Sequence, residues 1–149
     1  AGYHVTVCDA RPLFATPERF PYAAEVVVDW PHRYLLAEAA AGRIDGRTAV
    51  AVLTHDPKFD VPVIETALQL PVAYLGLLGS RRTCADRRQR LLDRGVAEAD
   101  LARLRAPLGL DIGGHSIEET AVSIVAEMIA LRYGGTGAPL SSITAPIHR

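Results

Sequence analysis

Short apolar runs alternate with amphipathic stretches along almost the whole of this chain. His4-Val5-Thr6-Val7-Cys8 is rich in β-branched residues and stops at Asp9-Ala10-Arg11-Pro12, the pattern of a strand ending in a turn. Glu25-Val26-Val27-Val28 predicts a second strand, closed by Asp29-Trp30-Pro31. Pro31 suits the first turn of a helix that runs through Tyr34 to Ala40 and stops at Gly42. Thr48 to Leu53 is a third strand, and its unbroken apolar run indicates burial on both faces. Asp56-Pro57 has the form of an N-cap and first helical residue, with a helix from Val61 to Leu70 in which Pro62 must lie in the first turn. Val72 to Leu78 predicts a fourth strand ending at Gly79-Ser80. A charged helix from Arg81 to Arg94 then buries Cys84, Leu91 and the stem of Arg88. Asp100 to Leu104 is expected as a short helix, and Ser116-Ile117-Glu118-Glu119 is a capping box. The last helix carries Ala121, Ile124, Val125, Met128 and Leu131 at helical spacing up to Gly134-Gly135.

Strands alternating with helices call for a parallel sheet with right-handed crossovers and helices on both faces, a Rossmann-like α/β fold. The expected organisation is one domain over residues 1–134 and a Gly/Pro/Ser-containing tail over 135–149. Composition agrees: 49% hydrophobic and 22% charged residues are ordinary for a globular domain. A formal net charge of −1 supplies no basic field for nucleic acid. No apolar run approaches the ~20 residues needed to span a bilayer. Cys8 and Cys84 are the only cysteines and lack metal-ligand spacing, so a reducing cytoplasm is the expected setting and no metal site is expected.

In such sheets ligands bind beyond the carboxyl ends of the strands. The first strand delivers Asp9 and Arg11 to that edge, the third Thr54, His55 and Asp56, and the fourth Gly79, Ser80, Arg81 and Arg82. Asp9 stands where Rossmann domains place the carboxylate that holds a ribose hydroxyl, or it simply caps the turn ahead of Pro12. That carboxylate follows a glycine-rich phosphate loop by about 20 residues. The chain begins eight residues before Asp9, so the loop and the central strand before it are expected to be missing. The strands ending at Asp9 and Leu53 should then flank an open slot. Two arginines at the start of a helix oppose its dipole, an arrangement that suits a bound phosphate or pyrophosphate facing Thr54 to Asp56. Asp111, between Leu110 and Ile112, should point into the same crevice with a specific partner. His55 is a turn residue or a proton carrier; His115 and Cys84 read as structural.

Three ordered segments resemble a known family: Thr54-His55-Asp56-Pro57-Lys58-Phe59-Asp60, Gly76-Leu77-Leu78-Gly79-Ser80-Arg81-Arg82 and Pro107-Leu108-Gly109-Leu110-Asp111-Ile112-Gly113. With Asp9-Ala10-Arg11-Pro12, the helix from Ser116 to Met128 and the ending Pro146-Ile147-His148, they look like the C-terminal Rossmann domain of the xanthine dehydrogenase accessory family, XdhC/CoxI. The resemblance implies a non-catalytic accessory protein that binds the molybdenum cofactor, as molybdopterin or its dinucleotide form, and assists its sulfuration and insertion. It implies a molybdenum hydroxylase apoenzyme and a cysteine desulfurase as partners, and a homo-oligomer is compatible with it. Thr54, His55, Asp56, Ser80, Arg81, Arg82 and Asp111 carry over as site residues. An NAD(P)- or flavin-nucleotide-binding oxidoreductase domain is the alternative, because Asp9 suits a dinucleotide equally well. A pure interaction module would leave the arginine pair without a purpose.

Overall fold

The structure, a computed structural model, describes residues 1–147; His148 lies outside them. In chain order the elements are β1 (Thr6–Asp9), β2 (Glu25–Val28), α1 (Pro31–Ala40), β3 (Ala49–Val52), α2 (Pro57–Leu68), β4 (Tyr74–Leu77), α3 (Arg81–Asp93), α4 (Glu98–Leu101), β5 (Leu104–Arg105) and α5 (Ile117–Tyr133). All strand pairs are parallel, as the α/β alternation requires. They form two sheets, β1-β2 and β3-β4-β5. No ladder joins β1 to β3, and among the described residues no strand pairs with both, so the sheet is split at the expected slot. The two halves are held together by helices instead. Helix α1 packs along α2, and Leu35 of α1 enters the same core as Val52, Ile64 and Leu75.

β4 is the one strand buried at every position. Its side chains alternate between two covered faces. Leu75 and Leu77 pack into the core with Ile64, Ala67, Leu91 and Leu101. Tyr74 and Gly76 turn to the opposite face, where the Tyr74 hydroxyl donates to Glu127 on α5 at 2.7 Å. A Cβ on Gly76 would lie 2.7 Å from that hydroxyl and 2.8 Å from the Cβ of Leu108, so this close approach requires glycine.

Local chemistry sets the helix ends. Asp56 caps α2 by accepting from the Lys58 amide at 3.0 Å, with Pro57 at the first position. Ser80 caps α3 through the Thr83 amide, and Ser116 with Glu119 completes the capping box of α5. Gly134, at φ 66°, ends α5 in the left-handed region.

Three expectations need correction. α2 starts at Pro57, four residues before Val61, so Pro62 sits in its second turn. The cap and the burial of Phe59 and Asp60 outweigh the one intrahelical bond that Pro62 forgoes. The short helix is Glu98–Leu101 rather than Asp100 to Leu104, and Leu104 instead opens β5. Two residues carry too little periodicity to announce a strand; pairing with β4 creates it. Finally, α3 buries Arg87, not the stem of Arg88, which is exposed and paired with Glu98.

Candidate functional site

The carboxyl ends of β1, β2 and β3 deliver their loops to one edge. Asp9 and Arg11 form a closed pair: Asp9 Oδ1 accepts from the Arg11 amide and Nε, both at 2.9 Å, and Oδ2 accepts from Nη2 at 2.7 Å. These bonds hold the Asp9 carboxyl below its ordinary range. The Arg11 guanidinium lies 4.4 Å from the centre of the Phe14 ring and 5.3 Å from that of Phe59. Phe59 comes from α2, so this contact bridges the open slot. Trp30, after β2, meets the same ring at 5.0 Å, and Lys58 Nζ lies 4.9 Å from it. Lys58 also faces Asp56 at 3.6 Å. Asp9, Arg11 and Asp56 therefore converge around Phe59.

Thr54 and His55 are pinned from below by a buried ion pair. Asp60 is fully buried; it accepts from the Thr54 hydroxyl and pairs with Arg87 Nε at 3.0 Å. Arg87 Nη2 donates to the His55 carbonyl at 2.9 Å, and Nη1 to Asp86 at 2.6 Å. A charge-assisted network of this kind fixes the strand-to-helix loop from the side of α3. The His55 imidazole is exposed and takes no part. The residue pattern did not single out Asp60 and Arg87. A signal existed: Arg87 lies at helical spacing between the buried Cys84 and Leu91, inside the apolar stripe of α3.

Arg81 and Arg82 are exposed, and neither side chain has a polar partner among the described residues. Arg81 turns toward β5, where it lines an open cavity of about 270 Å³ with Ala85, Ala106 and Pro107. Thus the helix reaches His55 through Arg87, and no bond links residues 79–82 to residues 54–56. Asp111 does not gain the specific partner expected of it; it is exposed, as is Ile112 at 50%. The turn is fixed by backbone instead, with Ser123 donating to the Leu110 carbonyl at 2.5 Å and the Gly109 amide donating to Glu127 at 2.8 Å. The apolar neighbours of Asp111 therefore do not desolvate it.

Burial pushes the Cys8 thiol up to about 11, and burial also raises that of Cys84, so neither is a ready thiolate at neutral pH. Among the described residues no group of three or more His, Cys, Asp or Glu is placed to hold a metal ion, and no helix is long and apolar enough to cross a membrane.

Two small parallel sheets with helices, and with caps, cations and aromatic rings gathered at the carboxyl ends of the strands, define a partial Rossmann-like fold. The chain belongs to the XdhC Rossmann domain family, whose pattern matches residues 1–128. It is 35% identical over 98 residues to the molybdenum cofactor insertion chaperone PaoD of Escherichia coli, covering 66% of this chain and 31% of that protein. It is 34% identical to a probable xanthine dehydrogenase component of Bacillus subtilis, over 88% of this chain and 36% of that one. A crystal structure described as a xanthine dehydrogenase from Bacillus halodurans superposes with a TM-score of 0.69 at 29% identity, over 95% of this chain and 38% of the other. The chain thus spans roughly a third of the length of these relatives.

Proposed function

We propose that this chain is the cofactor-binding domain of a maturation protein for a molybdenum hydroxylase of the xanthine or carbon monoxide dehydrogenase type. It holds the molybdenum cofactor, as molybdopterin or its dinucleotide, at the carboxyl edge and passes it to the apoenzyme. The observation that carries this reading is the cluster at the carboxyl edge in which Arg11, Lys58 and the partly exposed Phe14 and Trp30 gather around the buried Phe59, in a chain related to a molybdenum cofactor insertion chaperone. The cofactor is cargo: a flat pterin with a phosphate or pyrophosphate end. The residues suit both parts, with aromatic faces for the ring and cations for the phosphate. The buried His32 Nδ1, without a hydrogen-bond partner among the described residues, is a further polar atom beside Trp30. Thr54, His55 and Asp56, at the end of β3, stand on the α2 side of this cluster. The exposed Arg81 and Arg82, after Gly79 and Ser80, are cations for the anionic end of the cofactor, and the exposed Asp111 is left for the client enzyme. Sulfur for the cofactor comes from a partner cysteine desulfurase, as the resemblance to the XdhC family implies.

The oxidoreductase alternative, with NAD(P) or a flavin nucleotide, would need Asp9 to take a ribose, and that carboxylate is already engaged by Arg11. Incubating the full chain with isolated molybdenum cofactor and, separately, with NADP(H), followed by gel filtration, tests the choice. Retained cofactor that reactivates an apo-hydroxylase is the expected result; retention of nicotinamide nucleotide alone would overturn the reading. Replacing Arg81 and Arg82 together by Gln should weaken cofactor binding by about 1.5–3 kcal/mol for each charge-assisted bond lost. Unchanged affinity would remove them from the site.

A further inference from the structure

Asp9 occupies the position from which Rossmann domains grip a ribose diol, and it is not free to do so. An ionised carboxylate offers roughly four lone-pair sites. Three are filled by the Arg11 amide, Nε and Nη2, at 2.9, 2.9 and 2.7 Å. A diol presents two hydroxyls and would have to break at least one of these bonds. The carboxylate is also only 13% exposed, whereas the Arg11 side chain is 42% exposed. What the crevice offers to a ligand at this point is therefore the guanidinium.

Arg11 is held ready for that task. Nε and Nη2 are tied to Asp9, which leaves the N–H groups of Nη1 without a hydrogen-bond partner among the described residues. The planar group rests over Phe14 and against Phe59, so its orientation is fixed before any ligand arrives. Two further cations stand beside these rings: Arg19, 5.3 Å from the Phe14 centroid, and Lys58, 4.9 Å from that of Phe59. Phe14 and Trp30 remain 43% and 38% exposed, which leaves aromatic surface for a flat ring. A nearby arginine is also how Rossmann domains accommodate a phosphate in place of a free ribose hydroxyl.

We propose that Arg11 makes this crevice selective for a flat heteroaromatic ligand bearing a phosphomonoester, which among the two cofactor forms is molybdopterin and not its dinucleotide, and closes it to one that offers only a diol. This deepens the cofactor reading and rests on its crevice. The shared chemistry could belong to a pterin phosphate or to a 2′-phosphorylated dinucleotide.

Trp30 is the only tryptophan of the chain, so quenching of its fluorescence reports directly on the crevice. The full chain is titrated with NADP⁺ and NAD⁺, and with a hydroxymethylpterin phosphate and the unphosphorylated pterin. At least one phosphorylated ligand should bind about tenfold or more tighter than its counterpart, or about 1.4 kcal/mol, and the tighter pair names the source. Arg11→Gln should bring that ratio close to one; Arg11→Lys should reduce it without abolishing it, which covers the case of a poorly folded glutamine variant. Equal binding of both members of each pair, a ratio that survives Arg11→Gln, or no quenching by any of the four would overturn the proposal. Phosphate selectivity in a chain that fails to retain isolated molybdenum cofactor would sink the functional reading alone. Cofactor retained with no dependence on Arg11 would sink this one alone.

Discussion

β1 and β4 are both four-residue parallel strands, Thr-Val-Cys-Asp and Tyr-Leu-Gly-Leu, yet every residue of β1 is half-buried and every residue of β4 is buried. The difference lies in their cover. β4 has strands on both sides, the α2–α3 core on one face and Leu108 with α5 on the other. β1 pairs only with β2, and β2 itself exposes Glu25 and Val28. An apolar run makes a strand; neighbours on all sides make it a core. The proposed ligand crevice hangs partly on the weaker half, since Asp9, Arg11 and Trp30 follow β1 and β2 while Phe59 and Lys58 belong to the stronger one. Regions of sparse burial open locally at lower free energy than the core.

The contrast can be broken most sharply at the network beneath Thr54 and His55. Asp60→Ala takes from Arg87, whose side chain is 7% exposed, its buried partner, leaves Nε unpaired beside Asp86 and the His55 carbonyl, and should cost about 3–5 kcal/mol by chemical denaturation. A loss no larger than that of a surface ion pair would show that Arg87 finds water, and that the stronger half is less closed than its burial indicates.

A pair of truncations measures the contrast directly. Ile64→Ala removes a fully buried side chain from the core and should cost about 2–5 kcal/mol. Val26→Ala, on half-buried β2, should cost about 0.5–1.5 kcal/mol, because less area leaves water and the gap can collapse. Similar losses at the two sites would mean that both sheets share one level of packing.

The smallest effect is expected on acidification. Hydrogen bonds from Arg11 lower the folded-state pKa of Asp9, so this pair stabilises the fold above the ordinary carboxylate range. That contribution falls away as pH drops below that range and through the lowered folded value, where Asp9 takes up its proton. Trp30 emission, reporting on the neighbouring Phe59, should shift in that window in the wild type, and Asp9→Asn should abolish the pH-dependent step. A step that persists in the variant would assign it to another carboxylate.

Much of this was legible in the residues. Short β-branched or unbroken apolar runs bounded by turn residues marked β1 to β4, and helical spacing of apolar residues marked the last helix, because burial leaves a trace in the local pattern. Asp56 and the Ser116–Glu119 box marked helix starts, because a cap acts over two or three residues. The split of the sheet between β1 and β3 was also legible, since the connection order of the fold places a strand between them.

Only the tertiary structure decided the rest. β5 exists because β4 offers it a partner, and two residues cannot signal that on their own. Phe59 meets Arg11 across 48 positions of chain, and Arg87 meets Asp60 across 27, so neither pair leaves a local pattern. Arg81 and Asp111 differ from Arg87 and Asp60 in what surrounds them, not in residue type: the first two are exposed, and the second two lie where α2 and α3 exclude water. The sequence by itself determined which elements form and which chemical groups reach the carboxyl edge. The packing of helices across the open slot decided which of those groups are spent on holding the fold and which are left facing a ligand, because desolvation and partner choice depend on neighbours distant in the chain.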